Sequence, residues 1–260
     1  MRAKEKDKQY FIAAIEDRYK VYSMWNSGLN EGKFPQESIP KASGSIFENY
    51  SQLIFLKYSS GVELDKIKDD YLISVEWMHK SWCNLPKNAY EMKRGQKISH
   101  NFYFDSEYDS MLRMLCFGVL FKCSEVVFKK LAEIIDKDGI CDMLYEFILS
   151  KTLTETRTPR IESYVDHCTI PKRLAALREA VIHQGEKLTS NIEKYLLKDW
   201  IKSMNRNGGF KVHEGLHTAF VGYWNFESAA FAILFDIDVS KLEQSSYFPK
   251  DLYYYAKANR

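Results

Sequence analysis

The stretch that most constrains this chain is VELDKIKDDYLISVEWMHKSW, residues 62–82. Leu64, Ile67, Tyr71, Val75, Met78 and Trp82 recur at steps of three and four, the period of one helical face. Asp65, Asp69 and Glu76 fall on the opposite side. A helix with such a stripe has to bury it against another element. The same period recurs almost throughout. Tyr10, Ile12, Ala13, Ile15, Tyr19 and Tyr22 predict a helix over about 6–25, and a second is expected from Ser45 to Tyr58. No run alternates with period two beside a hairpin turn. The expectation is an all-α fold of antiparallel helix pairs in two packed helical halves. An N-terminal helical domain would span 1–125 and a C-terminal one 126–260. No stretch repeats at a fixed period, so a regular solenoid is not supported.

Breakers divide the rest. GLNEGKFPQESIPKASG, residues 28–44, is rich in Gly, Pro and Ser and reads as a long loop. SSG closes the second helix, and LPKNAYEMKRGQ, residues 85–96, reads as another loop. DSEYDSMLRMLCFGVLFKC, residues 105–123, starts acidic and becomes apolar all round, the mark of a buried central helix. Helices are expected at 125–136 and 140–150, joined by DKDG. TLTETRTPRIESYVDHCTIP, residues 152–171, reads as irregular and as a domain joint. Helices resume at 171–183 and 187–204, where NRNGG is a strong stop. The tail holds a helix over 225–236, a turn near 239–244 and a last helix from about 250.

Composition enters where it excludes functions. With 260 residues the chain has ample length for a core. Its 37 basic and 35 acidic residues leave a net charge of +2. That lacks the basic excess of a dedicated nucleic-acid binder and the acidic excess of a DNA mimic. The five cysteines, Cys83, Cys116, Cys123, Cys141 and Cys168, form no C-x-x-C pair, and most lie in apolar runs. They read as buried thiols in a reducing compartment. The N-terminus has no apolar signal region, and no apolar run approaches the roughly 20 residues a spanning helix needs. These points together lead to the expectation of a cytoplasmic protein.

HEGLH, residues 213–217, is the sharpest catalytic pattern. In zinc proteases the two histidines sit one turn apart on a helix, and the glutamate is the general base. Here the motif follows a helix stop, and Gly215 costs a helix about 1 kcal/mol relative to alanine. A third ligand is also needed, and Glu227 lies only ten residues past His217. The competing reading is a polar loop with two surface histidines. There is no phosphate-binding loop, dinucleotide fingerprint or nucleophile elbow. Asp166-His167 is an isolated pair, and His79 reads as a satisfied helix histidine.

Acidic clusters are the other candidates. Asp105, Glu107 and Asp109 crowd one helix start, where carboxylates meet the helix dipole favourably. Asp65, Asp69 and Glu76 form one stripe, and Asp138, Asp142 and Glu146 form another. Both stripes read first as solvated faces. Their functional reading is a carboxylate surface for a basic partner, with charge speeding association and selecting the partner.

GYWNFESAAFAILFDID, residues 222–238, joins a turn to an apolar helix. Gly222 suits a tight turn, and Tyr223 and Trp224 suit a packing joint. Ala229, Ala230 and Ala232 let a neighbouring helix approach closely. Glu227 falls near the N3 capping position if the helix starts around Trp224 or Asn225. With SSYFPKDL after it, this string resembles the C-terminal signature of the PoNi-type immunity proteins. The resemblance falls on Gly222, Tyr223, Trp224, Phe226, Glu227, Ala229, Ala230, Asp236, Asp238, Tyr247, Pro249, Asp251 and Leu252. LKYSSGVELDKIKDDY, residues 56–71, is similar to that family's Tyr-Ser-x-Gly step and acidic helix. Residues 85–105 match no motif of the family.

The resemblance implies a partner and a setting. Such proteins neutralise PoNe toxins, DNases of the PD-(D/E)xK superfamily used in interbacterial competition. The immunity protein binds its toxin in the cytosol of the producing cell. Neither catalysis nor a cofactor is implied, nor any direct contact with nucleic acid or membrane. HEGLH then falls in a variable approach to Gly-Tyr-Trp with no metal role. Partner-binding residues are expected among Asp65, Asp69, Glu76, Asp105, Glu107 and Asp109, with nearby tyrosines as anchors. Gly222, Tyr223, Trp224, Glu227, Pro249 and Asp251 are expected to be structural. Inhibition would work either by an acidic patch over the toxin's catalytic centre or by a mixed surface that blocks DNA from elsewhere. The alternatives are a zinc hydrolase using His213, Glu214 and His217, a helical adaptor without a toxin partner, and a nonspecific DNA binder.

Overall fold

A computed structural model describes residues 1–87, 89–92, 101–103, 105–154, 157–158, 172–183, 185, 187–206, 208–215 and 220–258. The fold is all-α, as the periodicity predicts. Two compact units divide it by contact: Met1–Pro86 with Gly208–Tyr223, and Lys87–Asn207 with Trp224–Arg260. Both are discontinuous along the chain, a different kind of division from the sequential one at 125/126.

The first unit is built on α1 (Lys8–Asn30), α2 (Ile39–Ser60) and α3 (Leu64–Trp82). The central helix, α2, packs against both of the others. Short connections make each neighbouring pair antiparallel. On α2, Ile46, Ile54 and Leu56 are fully buried, each contributing about 1.5–3 kcal/mol relative to exposure. Ile15, Tyr22 and Trp25 of α1 and Trp77 of α3 pack against the Ile46, Tyr50 and Leu53 cluster. Phe11 and Ala14 complete the buried side of α1. Ile12 and Tyr19, counted with the apolar stripe by spacing, are both 39% exposed.

Residues 28–44 are mostly helical rather than a long loop. Gly28 lies inside α1, where a Cβ would stand 2.6 Å from the Phe34 ring. Glycine is needed there for close approach, not for a break. Phe34 also stacks on Trp25 at 5.4 Å, so the connection folds back on its own helix. Pro40 occupies the first turn of α2, where its missing N–H costs nothing.

The second unit centres on α4 (Asp105–Leu120). Met111, Leu112, Met114, Leu115, Cys116, Phe117 and Leu120 are all buried, as its all-round apolar pattern requires. Around it pack α5 (Glu125–Asp138), α6 (Met143–Thr152), α10 (Phe226–Phe235) and α11 (Lys250–Ala258). The helix expected over 187–204 is α8 (Leu188–Lys194), a π-helical turn (Tyr195–Trp200) and α9 (Ile201–Arg206), with α7 (Ala175–Ile182) before it. Inside the expected 85–96 loop and just beyond it, β1 (Glu91–Met92) pairs antiparallel with β2 (Phe102–Tyr103). The irregular joint expected at 152–171 lies largely outside the described residues, with Asp166, His167 and Cys168 in it. Cys116 and Cys141 are buried, as their apolar runs predict, whereas Cys83 and Cys123 are half-buried. Among the described residues, no helix is long and apolar enough to cross a membrane.

Candidate functional site

The α3 stripe is solvent-facing. Asp65, Asp69 and Glu76 are exposed, with Ile73 between them also 39% exposed. The helix period explains this, since Ile67, Tyr71, Val75 and Met78 fill the opposite, buried side. The next carboxylate, Asp70, turns inward and meets Lys57 of α2 at 2.5 Å. Burial pushes the Asp70 carboxyl up, partly offset by the Lys57 ammonium. Burial alone would lower Lys57, but its bonds to Asp70 and Tyr19 outweigh that and raise it. The Lys57 ammonium also lies 5.2 Å from the Tyr19 ring centroid. Tyr19 is thus a partly exposed tyrosine held by a buried ion pair. Spacing placed it in the core stripe, and only the packing of α1 on α2 reveals its position.

The second acidic group lies in the other unit. Asp105 opens α4, Glu107 accepts a 2.6 Å bond from Ser106 Oγ, and Asp109 pairs with Arg173. Asp109 is therefore already engaged within the protein.

The third stripe overturns its expectation. Asp138, Asp142 and Glu146 are buried, at 2%, 1% and 0% exposure. A carboxylate spacing of four marks one helix side, yet these residues straddle the α5–α6 turn, so spacing did not describe a single face. Tyr103 donates to Asp138 at 2.9 Å. Asp142 caps α6, accepting from Leu144 N–H and Tyr145 N–H at 2.9 and 3.1 Å and from the Tyr108 hydroxyl at 3.0 Å. Glu146 receives Arg157 at 2.6 and 3.1 Å, and the same guanidinium grips Asp136 through two 3.0 Å bonds. Burial pushes Asp142 up to about 6 despite its donors.

The C-terminal motif is woven into both units. In the first, Gly222 has φ +111°, a region that disfavours any side chain. Just before it, Ser59 Oγ donates to Val221 O at 2.6 Å. The Tyr10 hydroxyl donates to Phe220 O and accepts from Phe220 N–H, both at 2.9 Å. Tyr223 is buried and packs on Phe220 at 4.8 Å and Phe210 at 5.1 Å. The chain enters the second unit at Trp224, which is half-buried.

There the cap of α10 is Asn225, whose Oδ1 accepts from Ser228 N–H at 2.8 Å, while its own N–H bonds Tyr247 O at 2.9 Å. Glu227 stands one position earlier than N3 and is buried. Burial raises its pKa, with the Arg113 charge opposing. Sequence reasoning missed Asn225 as the cap; its signal was an Asn directly before an apolar run. Ala229, Ala230 and Ala232 are fully buried where α10 meets α4, and Phe226 lies 4.8 Å from Phe117. Pro249 is buried, and its carbonyl accepts from Tyr253 N–H at 3.0 Å. Asp251 sits exposed in the first turn of α11.

HEGLH does not supply the helix a zinc protease needs. Residues 209–214 form a 3-10 turn, and Gly215 after it is extended, with ψ 155°. His213 Nδ1 lies 2.8 Å from the Tyr223 hydroxyl, a packing bond within the first unit. His217 lies outside the described residues.

Such a chain is an all-α protein of two compact units, with buried carboxylates bonded inside the second unit and Asp65, Asp69 and Glu76 exposed on α3. The family models say to which family such a chain belongs. One for the N-terminal part of PoNe immunity proteins (PoNi) matches residues 5–133, and one for their C-terminal part matches 140–252. The chain belongs to the PoNe immunity protein family, and membership implies immunity to a PoNe nuclease toxin. A solved structure, protein PA2201 from Pseudomonas aeruginosa, is similar in fold. It superposes with a TM-score of 0.68 at 17% identity, over 99% of this chain and 92% of that one. No curated protein matches the chain.

Proposed function

We propose that this protein neutralises one cognate nuclease toxin by direct binding in the cytosol of the producing cell, without catalysis or a cofactor. The toxin is a PoNe-type DNase of the PD-(D/E)xK superfamily. The observation that carries this reading is the match of both PoNi family models, which together span most of the chain. Its contact surface includes the exposed carboxylates of α3, Asp65, Asp69 and Glu76, around Ile73 and near Tyr19. Carboxylates around a partly exposed apolar side chain suit a basic, DNA-binding protein surface, where charge selects and apolar anchors hold. Asp105, Glu107 and Asp109 are a second, smaller contribution, with Asp109 the weakest because Arg173 already engages it. Gly222, Tyr223, Trp224, Glu227, Pro249 and Asp251 act by holding the fold.

The test is co-expression with the nuclease encoded next to this protein, scored for survival, intact chromosomal DNA and a stable complex on purification. Rescue with a complex supports the reading. Toxicity unrelieved by this protein overturns it.

A further inference from the structure

Within the second unit, an open groove of about 460 Å3 lies where α4, α5, α6 and α10 meet. Val119, Phe128, Ile233 and Leu234 line it, giving it an apolar floor. The volume falls in the range that holds small ligands or a few side chains. Lys122 and Lys151 stand on its rim, both exposed. Glu125 is on the same rim, but Lys129 engages it at 3.1 Å. Among the described residues, Lys122 and Lys151 have no carboxylate partner; Lys151 instead lies 5.8 Å from the Phe147 ring centroid. The groove is therefore apolar at its base and positive at its edge.

Lys122 occupies an unusual backbone position. It follows α4 with φ +52°, while its N–H bonds Val119 O at 3.2 Å and Cys123 N–H bonds Gly118 O at 3.0 Å. Glycine is the residue that fits this helix ending at least steric cost. A lysine there gives up stability and delivers an ammonium to the groove's edge. Its structural explanation would be attraction to the C-terminal end of the α4 dipole. That role and a binding role make opposite predictions for replacement by glycine.

We propose that this groove receives an acidic segment of the nuclease toxin, with one apolar side chain on the floor and a neighbouring carboxylate held by Lys122 and Lys151. The proposal rests on the reading that a toxin is the partner, and adds a site of opposite charge to the α3 face. In this groove two exposed lysines, Lys122 and Lys151, surround an apolar recess. An apolar floor with two rim cations suits a side-chain anchor and its carboxylate better than a phosphate backbone, which calls for a longer basic track.

The experiment uses the full chain and the co-expressed toxin. Lys122→Gly and Lys151→Glu are compared with the unaltered protein for toxin affinity by calorimetry and for melting temperature. Lys122→Gly is expected to keep or raise the melting temperature while weakening toxin binding at least tenfold, and Lys151→Glu to weaken it similarly. A photo-crosslinker at Val126, 61% exposed beside the groove, is expected to capture a toxin peptide bearing Asp or Glu. Affinities within threefold of the unaltered protein for both variants, or capture of only basic peptides, overturn the groove proposal and leave the immunity reading standing. Failure of the unaltered protein to bind the toxin overturns both. If the two lysines instead govern retention of a 20-base-pair DNA probe, the groove is a nucleic-acid contact and the proposal is wrong.

Discussion

Asp142 holds the start of α6 with three accepted hydrogen bonds, yet burial places its pKa at about 6, above the roughly 3.9 of an unfolded aspartate. A raised acid contributes stability that is fully present below its unfolded value and lost as pH rises through the folded one. Asp142→Asn keeps an effective cap and removes this titration. The stability of the unaltered protein relative to the variant should therefore rise by about 1–3 kcal/mol as pH falls from 7 to 4, read from urea denaturation at each pH. A constant difference would show that Asp142 does not titrate in this window. Arg157 is a sharper case. Burial works against its charge, but Glu146 and Asp136 hold the guanidinium's proton more firmly than usual. Arg157→Ala takes the guanidinium away from the buried Glu146 carboxylate, and should cost about 3–5 kcal/mol. Trp224→Ala removes a half-buried ring at the entry to the second unit and should cost about 2 kcal/mol, with toxin binding intact in the protein that still folds.

At the scale of elements, α3 shows how one helix serves two ends. Its inner side packs on α2, and its outer side presents Asp65, Asp69 and Glu76. Reversing all three charges to lysine leaves the inner side untouched. The melting temperature should stay within a few degrees, while toxin affinity drops by about 2 kcal/mol or more if these residues include hot spots. Unchanged affinity would remove α3 from the interface. The approach to α10 works differently. Gly222→Ala forces a side chain onto φ +111° and should cost about 1–3 kcal/mol, lowering the melting temperature without touching the α3 surface.

At the scale of the whole molecule, the near-neutral charge is compatible with local faces of either sign. If the α3 carboxylates steer the toxin, association should slow steeply between 50 and 500 mM salt while dissociation changes little. Stopped-flow kinetics would read both rates. A salt-independent association rate would place the energetic weight on apolar contacts instead. The fold of protein PA2201 matches over nearly the whole chain at 17% identity. The shared architecture thus tolerates wide sequence change.

Helix period alone determined that the chain is all-α, that α3 buries Ile67, Tyr71, Val75 and Met78, and that α4 lies in a core, because apolar spacing reports which side of an isolated helix must leave water. The string from Gly222 to Leu252 also resembles the PoNi signature, and its glycine and alanine run are backbone and packing demands written in residue types. Tertiary structure decided the rest. Gly28 and Pro40 read as breakers until Phe34 and the first turn of α2 gave each a place inside helical geometry. Asp138, Asp142 and Glu146 have the composition of a solvated face, and donors brought by other segments, among them Tyr103, Tyr108 and Arg157, make their burial tolerable. Tyr19 and Lys122 show the same limit from the surface side: spacing assigns a residue to a face, but whether that face meets another helix, a groove or water depends on contacts between segments far apart in sequence.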